Sequence, residues 1–190
     1  GHLSSIGQEE GIGNRLCLVE SELLDNLHQV QERNGLPSSE SLGELDFTVE
    51  METGTGKTYV YLRTIFELNK RYGFTKFVIV VPSIAIKEGV YKSIDLMKEH
   101  FRSLYSGAPM HYFLYDSSDL ENVRSYATSS KIEIMVCTIQ SITDIADPSF
   151  SDTAKKKGKK ARRVIHEPNE KTGGLSPITF IRDCRPIVII

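Results

Sequence analysis

The chain has 190 residues, of which 39% are hydrophobic and 25% are charged, and its formal net charge is −2. This length predicts a single domain with a sizeable core, and the composition is that of an ordinary soluble globular protein. The sequence has no stretch of 18 apolar residues and no charged-then-apolar N-terminus, which argues against a membrane-spanning or secreted chain. The three cysteines, Cys17, Cys137 and Cys184, are widely spaced, and they predict buried thiols in a reducing cytoplasm rather than a disulfide framework or a zinc site.

A short basic segment interrupts an otherwise acidic chain. Residues 151–163 carry seven basic side chains and one acidic side chain, a net charge of 7 − 1 = +6, so the remainder totals −2 − 6 = −8. Such a segment predicts a nucleic-acid contact, although a solvated surface loop has the same composition. Its basic residues are Lys155, Lys156, Lys157, Lys159, Lys160, Arg162 and Arg163.

A glycine-rich segment in the first third of the chain predicts nucleotide binding. Residues 51–58 read M-E-T-G-T-G-K-T and lie between an alternating segment at 45–50, which predicts a strand, and a helical pattern that ends near Gly73. A strand, a glycine turn and a helix in this order allow backbone N–H groups to surround a polyphosphate. The predicted binding residues are Thr53, Gly54, Thr55, Gly56, Lys57 and Thr58.

Each residue type in this segment has a chemical role. Gly54 and Gly56 permit backbone angles and a close approach that a Cβ would prevent. Lys57 can place an ammonium group on the β- and γ-phosphates of ATP, and the Thr58 hydroxyl can ligate Mg²⁺. In the general phosphate-binding pattern G-x-x-x-x-G-K-[ST], Met51 occupies the position of the first glycine. This replacement is more common in helicase-like motors than in kinases or GTPases.

Strand and helix patterns alternate after the glycine-rich segment. Repeated strand–helix units predict an α/β fold with a mainly parallel sheet and helices on both faces. Strands are predicted at residues 76–81, 112–115, 132–137 and 186–190, and helices around 90–104, 120–127 and 178–184.

The predicted domain organisation has two parts. Residues 1–44 form an N-terminal extension that contains an amphipathic helix at 19–34, and residues 45–190 form the nucleotide-binding domain. The basic segment belongs to an insertion at about 147–175. In a P-loop motor, the strand at 186–190 should lead into an acidic pair that holds Mg²⁺. No residue follows Ile190 here, so we expect this chain to be a fragment of a longer protein.

Two long runs of residues carry a resemblance to a known family. They read E-M-E-T-G-T-G-K-T-Y-V-Y-L-R-T at 50–64 and F-V-I-V-V-P-S-I-A-I-K-E-G-V at 77–90, with shorter matches at 72–74, 112–117 and 185–190. The chain resembles the Res subunit of type III restriction enzymes, a superfamily 2 helicase-like DNA translocase and endonuclease. The resemblance covers most of residues 20–145 and the last strand.

The resemblance implies most of the first of two RecA-like motor domains, with a three-layer fold that stops before its acidic box. It further implies ATP and Mg²⁺ as cofactors and double-stranded DNA as a partner. A Mod methyltransferase subunit that recognises the DNA sequence is the implied protein partner, in a bacterial or archaeal cytoplasm. No catalytic residue is expected in this fragment, which should bind nucleotide weakly and show negligible ATPase activity.

Two further segments look like DNA-contacting motifs of this family. Pro82 and Ser83 follow the strand at 76–81 and are similar to motif Ia, and residues after the strand at 132–137 are similar to motif Ib. Helix capping and turn formation account for the same residue types without any ligand. The motif Ib candidates are Thr138, Gln140 and Ser141.

Other functions remain open from the residues alone. A small phosphotransferase would use the same loop and would need an acceptor site and an arginine-bearing lid. A non-catalytic nucleotide-binding module would need only the loop. A GTPase is disfavoured because the sequence has no N-K-x-D guanine signature. A pair of acidic residues encoded directly after Ile190 would favour the DNA motor over these alternatives.

Overall fold

The computed structural model describes residues 13–43, 45–116, 120–143, 164–166, 168, 174 and 176–190. The chain divides into two compact units. One spans Arg15–Lys57, and the other spans Thr58–Ile190 together with the segment that ends at Asn14. The predicted division after residue 44 stays a prediction.

Among the described residues, the larger unit has at its centre a parallel sheet of four strands, β1 (Lys76–Val81), β2 (Met110–Leu114), β3 (Ile132–Thr138) and β4 (Ile187–Ile189), in the order β2-β3-β1-β4. The two middle strands are buried at every position, as the continuous apolar run at 76–81 predicts for a strand covered on both faces. The register places Phe77 opposite both Ile134 and Ile187.

Helices cover both faces of this sheet, which confirms the predicted three-layer α/β fold. Helices α2 (Lys57–Tyr72) and α3 (Ile84–Leu104) bury side chains against Phe77, Ile79 and their neighbours on one face. Helices α4 (Leu120–Thr128) and α6 (Pro177–Asp183) do so against Val78 and Val80 on the other. The alternation follows because successive strand side chains point to opposite faces. A short α5 (Ile139–Ile142) and a 3-10 turn (Val164–His166) were not predicted from the sequence.

A buried polar group stabilises the amino ends of the strands. The Asn14 carboxamide accepts hydrogen bonds from the backbone N–H groups of Thr75 and Lys76, at 2.8 and 3.0 Å, and donates one to the Lys76 carbonyl at 2.8 Å. The Lys76 ammonium is buried and donates to the Ser129 carbonyl. Burial lowers the pKa of Lys76, and the nearby Glu133 carboxylate partly offsets this effect. The polar side chains of these residues therefore have hydrogen-bond partners within the protein, and their role is structural.

The smaller unit contains α1 (Glu20–Arg33), which confirms the predicted N-terminal helix. The side chain of Gln31 donates to the Ser39 hydroxyl at 2.8 Å and accepts from the Ser39 N–H at 2.9 Å, which ties the following segment to the helix. No residue of α1 is buried. Cys17 is exposed in the irregular segment before the helix, so the prediction of a buried thiol is wrong there.

The predicted strand at 45–50 is also wrong. These residues have no regular secondary structure, and Leu45, Phe47 and Val49 are 58, 54 and 77% exposed. An alternating pattern produces a strand only where a neighbouring strand supplies partners for its N–H and C=O groups. Among the described residues no strand pairs with this segment.

No helix in the described ranges has the length and apolarity needed to cross a membrane.

The aromatic contact between α2 and α3 provides a stability test. Phe66 is 2% exposed and stacks on Phe101 and Tyr105, with ring centroids 5.2 and 5.0 Å away. Phe66→Ala should lower the free energy of unfolding by about 3–5 kcal/mol, because it removes buried area and leaves a cavity. Leu96→Ala, at an 83% exposed position of α3, should change it by less than about 0.5 kcal/mol. Equal urea midpoints for both variants would contradict this packing.

Candidate functional site

The glycine-rich segment forms an exposed turn with unusual backbone angles. Gly54 and Gly56 have φ values of 81° and 86°, in the left-handed region that side chains with a Cβ rarely adopt. The Thr55 hydroxyl donates to the Glu52 carbonyl at 2.7 Å and closes the turn. Apart from the adjacent residues of the turn, no described residue lies within 4 Å of the position that a Cβ would take at either glycine. The turn therefore leaves its backbone open to a ligand.

Helix α2 begins at Lys57, directly after this turn. The first N–H groups of a helix have no intrahelical partners, and the helix dipole favours an anion there. Lys57 is exposed and Thr58 is half-buried. Burial raises the pKa of Tyr61, one turn further along, and the neighbouring Thr58 hydroxyl lowers it, although the Tyr61 hydroxyl has no well-formed hydrogen bond among the described residues. An exposed glycine turn followed by the exposed Lys57 ammonium group suits a phosphate, and the Thr58 hydroxyl, next in the sequence, is a residue type that ligates Mg²⁺.

A second polar region lies at the carboxyl ends of β1 and β3. Ser83 caps α3, because its hydroxyl accepts a hydrogen bond from the N–H of Ile86 at 3.3 Å. The capping function is thus present, and the preceding N–H groups of the first turn, those of Ile84 and Ala85, have no intrahelical partner. Open α/β sheets place ligand contacts at this edge.

The structure brings the two predicted DNA-contacting segments together at this edge. The Gln140 side chain donates to the Pro82 carbonyl at 3.2 Å, across 58 residues of sequence. The Ser141 hydroxyl donates to the Thr138 carbonyl at 2.6 Å, as expected for turn chemistry. Pro82 and Gln140 are exposed, whereas Thr138 is only 8% exposed. We call Pro82, Ser83, Thr138, Gln140 and Ser141 the carboxyl-edge surface.

Comparison with known proteins establishes the family. Residues 19–167, more than half of the chain, match the family described as "Type III restriction enzyme, res subunit". The chain belongs to this family. It is 39% identical over 117 residues to the EcoP15I Res subunit of Escherichia coli and 41% identical over 109 residues to the EcoPI Res subunit of Escherichia phage P1. It is 34% identical over 154 residues to the StyLTI Res subunit of Salmonella typhimurium.

These matches cover a small part of each relative. The match to the EcoP15I subunit covers 58% of this Res-family chain and 12% of that relative, and the match to the EcoPI subunit covers 52 and 11%. The match to the StyLTI subunit covers 75% of this chain and 15% of that relative. The family membership and the RecA-like α/β fold expected from the resemblance are both confirmed. The nucleotide and DNA contacts stay predictions.

Two residues at the carboxyl edge were missed by the sequence analysis. The Lys87 ammonium, one turn into α3, donates to the Tyr115 carbonyl at 3.4 Å. The Tyr115 hydroxyl is buried and has no hydrogen-bond partner among the described residues. The spacing of Lys87 from Ser83, four residues along one helix, is the sequence signal that points to this edge. The basic segment, from Lys155 to Arg163, lies outside the described residues.

Cys137 is a buried strand thiol, as predicted. Burial raises its pKa to about 12, and the opposing effects of Lys87 and Ser141 are smaller. Burial also raises the pKa of Cys184. The thiolate is the nucleophilic form of cysteine, so both side chains are poor nucleophiles at neutral pH.

Thiol reactivity tests this arrangement. At neutral pH, Cys17 should react rapidly with Ellman's reagent because it is exposed, whereas Cys137 and Cys184 should react only after denaturation. Cys17→Ser should abolish the rapid phase, and Cys184→Ser serves as the matched control that preserves it. A rapid phase that survives in Cys17→Ser would show that a thiol described as buried is accessible.

Proposed function

We propose that this chain is the ATP-binding portion of the DNA translocase motor of a type III restriction endonuclease. The observation that carries the proposal is the exposed turn with positive φ at Gly54 and Gly56, followed directly by Lys57 at the start of α2. Its occurrence in a chain of the Res family supports the assignment. The proposed full-length protein acts together with a Mod methyltransferase subunit. In it, ATP hydrolysis drives the cleavage of double-stranded DNA.

The roles of individual residues follow from their chemistry. The N–H groups of residues 53–56 bind the phosphate oxygens, since the two glycines allow the backbone to approach closely. Lys57 donates to the β- and γ-phosphates as a compact positive charge. The Thr58 hydroxyl binds Mg²⁺, which when bound neutralises phosphate charge.

The carboxyl-edge surface contacts the DNA backbone in this proposal. The N–H groups of Ile84 and Ala85 at the start of α3 and the second N–H of the Gln140 carboxamide are donors for phosphate oxygens, and the Ser141 hydroxyl can donate to phosphate by exchanging its hydrogen bond to the Thr138 carbonyl. Such contacts position a protein on DNA without reading the sequence. The basic residues at 155–163 add sequence-independent attraction. Selection of a DNA site belongs to the Mod subunit in this scheme.

Substitution of Lys57 tests nucleotide binding. Lys57→Ala should weaken ATP binding in the presence of Mg²⁺ by about 10- to 150-fold, because a hydrogen bond to a charged group contributes about 1.5–3 kcal/mol. The fold should be unaffected, since Lys57 is exposed. Isothermal titration calorimetry measures the affinity and circular dichroism measures the fold.

Lys70→Ala is the matched control, because Lys70 is an exposed lysine in the last turn of the same helix. It should leave the ATP affinity within about twofold of the parent, since its position is more than three helical turns from Lys57, roughly 20 Å along the axis. Equal ATP affinities for the parent and Lys57→Ala would contradict the proposed site.

A further inference from the structure

Helix α2 carries a buried hydroxyl group without a partner. The Tyr61 hydroxyl is shielded from solvent and makes no hydrogen bond among the described residues. Other tyrosine hydroxyls on this side of the sheet are engaged: that of Tyr59 lies 3.0 Å from His100 Nε2, and that of Tyr105 donates to the Glu67 carboxylate at 2.8 Å. Because native proteins rarely leave a buried polar atom unsatisfied, the Tyr61 hydroxyl requires an explanation.

The direction of the Tyr61 side chain follows from its place in the helix. Aromatic side chains of an α-helix lean toward its amino end and cover the residues three and four positions earlier. For Tyr61 these are Thr58 and Lys57, the first two residues of α2. The Tyr61 ring packs against the buried core, which limits its movement. The hydroxyl is therefore held beside Thr58, and the pKa of Tyr61 agrees with this, since burial raises it and the Thr58 hydroxyl lowers it.

The Thr58 hydroxyl differs from other threonine hydroxyls of the helices because it has no backbone partner. The hydroxyls of Thr64 and Thr128 donate to the carbonyls four residues earlier, those of Val60 and Arg124, at 2.9 and 3.1 Å. In the part of the chain that the structure describes, the Thr58 hydroxyl makes no such hydrogen bond. Its proton and its lone pairs are therefore both available.

A metal ion at the Thr58 oxygen creates a need for a proton acceptor. A hydroxyl that ligates Mg²⁺ through a lone pair keeps its proton, and that proton has to be donated to another atom. Coordination also makes the proton a stronger donor, because the cation withdraws electron density from the oxygen. A phenol oxygen accepts as well as donates, and the Tyr61 oxygen has no competing partner among the described residues.

We propose that Tyr61 is a positioning residue of the nucleotide site, whose phenol oxygen accepts the Thr58 hydroxyl proton and orients the Thr58 oxygen for Mg²⁺. The inference rests on the proposed nucleotide site and adds a residue that acts through Thr58 rather than on the phosphates. Partners of this kind raise the affinity for a metal because they hold its ligand in the binding orientation. The effect of Tyr61 on ATP binding therefore depends on the metal.

Tyr61→Phe tests this role, because it removes the hydroxyl and keeps the ring in the core. The ATP affinity of the complete chain is measured by isothermal titration calorimetry in excess Mg²⁺ and again in EDTA. With Mg²⁺ the affinity should fall about 2- to 12-fold, the factor that corresponds to one ordinary hydrogen bond. In EDTA it should equal that of the parent, whereas a packing defect in α2 would lower both affinities alike. Circular dichroism checks that the fold is kept.

Tyr115→Phe is the matched control. It removes the other buried side-chain hydroxyl that lacks a partner among the described residues, and it does so on the opposite face of the sheet. It should leave the ATP affinity unchanged under both conditions. A double-mutant cycle with Thr58→Val tests the route of the effect: once the Thr58 hydroxyl is absent, Tyr61→Phe should cause no further loss.

The outcomes separate the role of Tyr61 from the nucleotide site itself. Equal affinities of the parent and Tyr61→Phe in Mg²⁺, an equal loss in EDTA, an equal loss in Tyr115→Phe, or additive losses in the Thr58→Val cycle would each overturn the role of Tyr61. In these cases a loss of ATP binding in Lys57→Ala would show that the site itself stands. If the parent does not bind ATP, or if Lys57→Ala binds it equally well, the proposed site fails and the role of Tyr61 with it.

Discussion

The burial of β1 and β3 on both faces is the constraint on which the rest of the larger unit depends. Each strand must present apolar side chains alternately to two helical layers, and parallel pairing then aligns their carboxyl ends at one edge. The chain must leave each strand at that edge to begin the next helix. Polar caps and turns therefore collect there, and Gln140 can reach the Pro82 carbonyl although 58 residues separate them.

The opposite edge shows how the same sheet uses polar residues for stability. There, Asn14 satisfies three backbone groups, and Lys76 and Glu133 are almost fully buried. His111 contacts the Glu133 carboxylate at 2.7 Å, so three ionisable side chains are accounted for by one another and by the backbone. Among the described residues, Lys87 at the carboxyl edge makes one long hydrogen bond, to the Tyr115 carbonyl at 3.4 Å.

The sequence was sufficient to predict elements whose burial is decided locally. The run at 76–81 predicts β1 because six adjacent apolar or amphipathic residues fit a strand covered on both faces, and the glycine at 73 marks the end of α2. Residues 45–50 were misjudged because alternation indicates what a strand would bury but not whether a partner strand exists. Cys17 was misjudged for a similar reason, since residue type does not reveal how much of the chain surrounds it. The partners of Lys87 and Gln140 come from distant segments, so no local pattern contains them.

The central proposal is that the carboxyl edge of this sheet contacts DNA. Amide hydrogen exchange of the complete chain, with and without a short DNA duplex, tests it most directly. The account predicts slower exchange at the start of α3, residues 83–87, and at residues 138–141, with no change at the amino edge around Thr75 and Ser129. Protection confined to the amino edge, or DNA binding with no protection at the carboxyl edge, would contradict it.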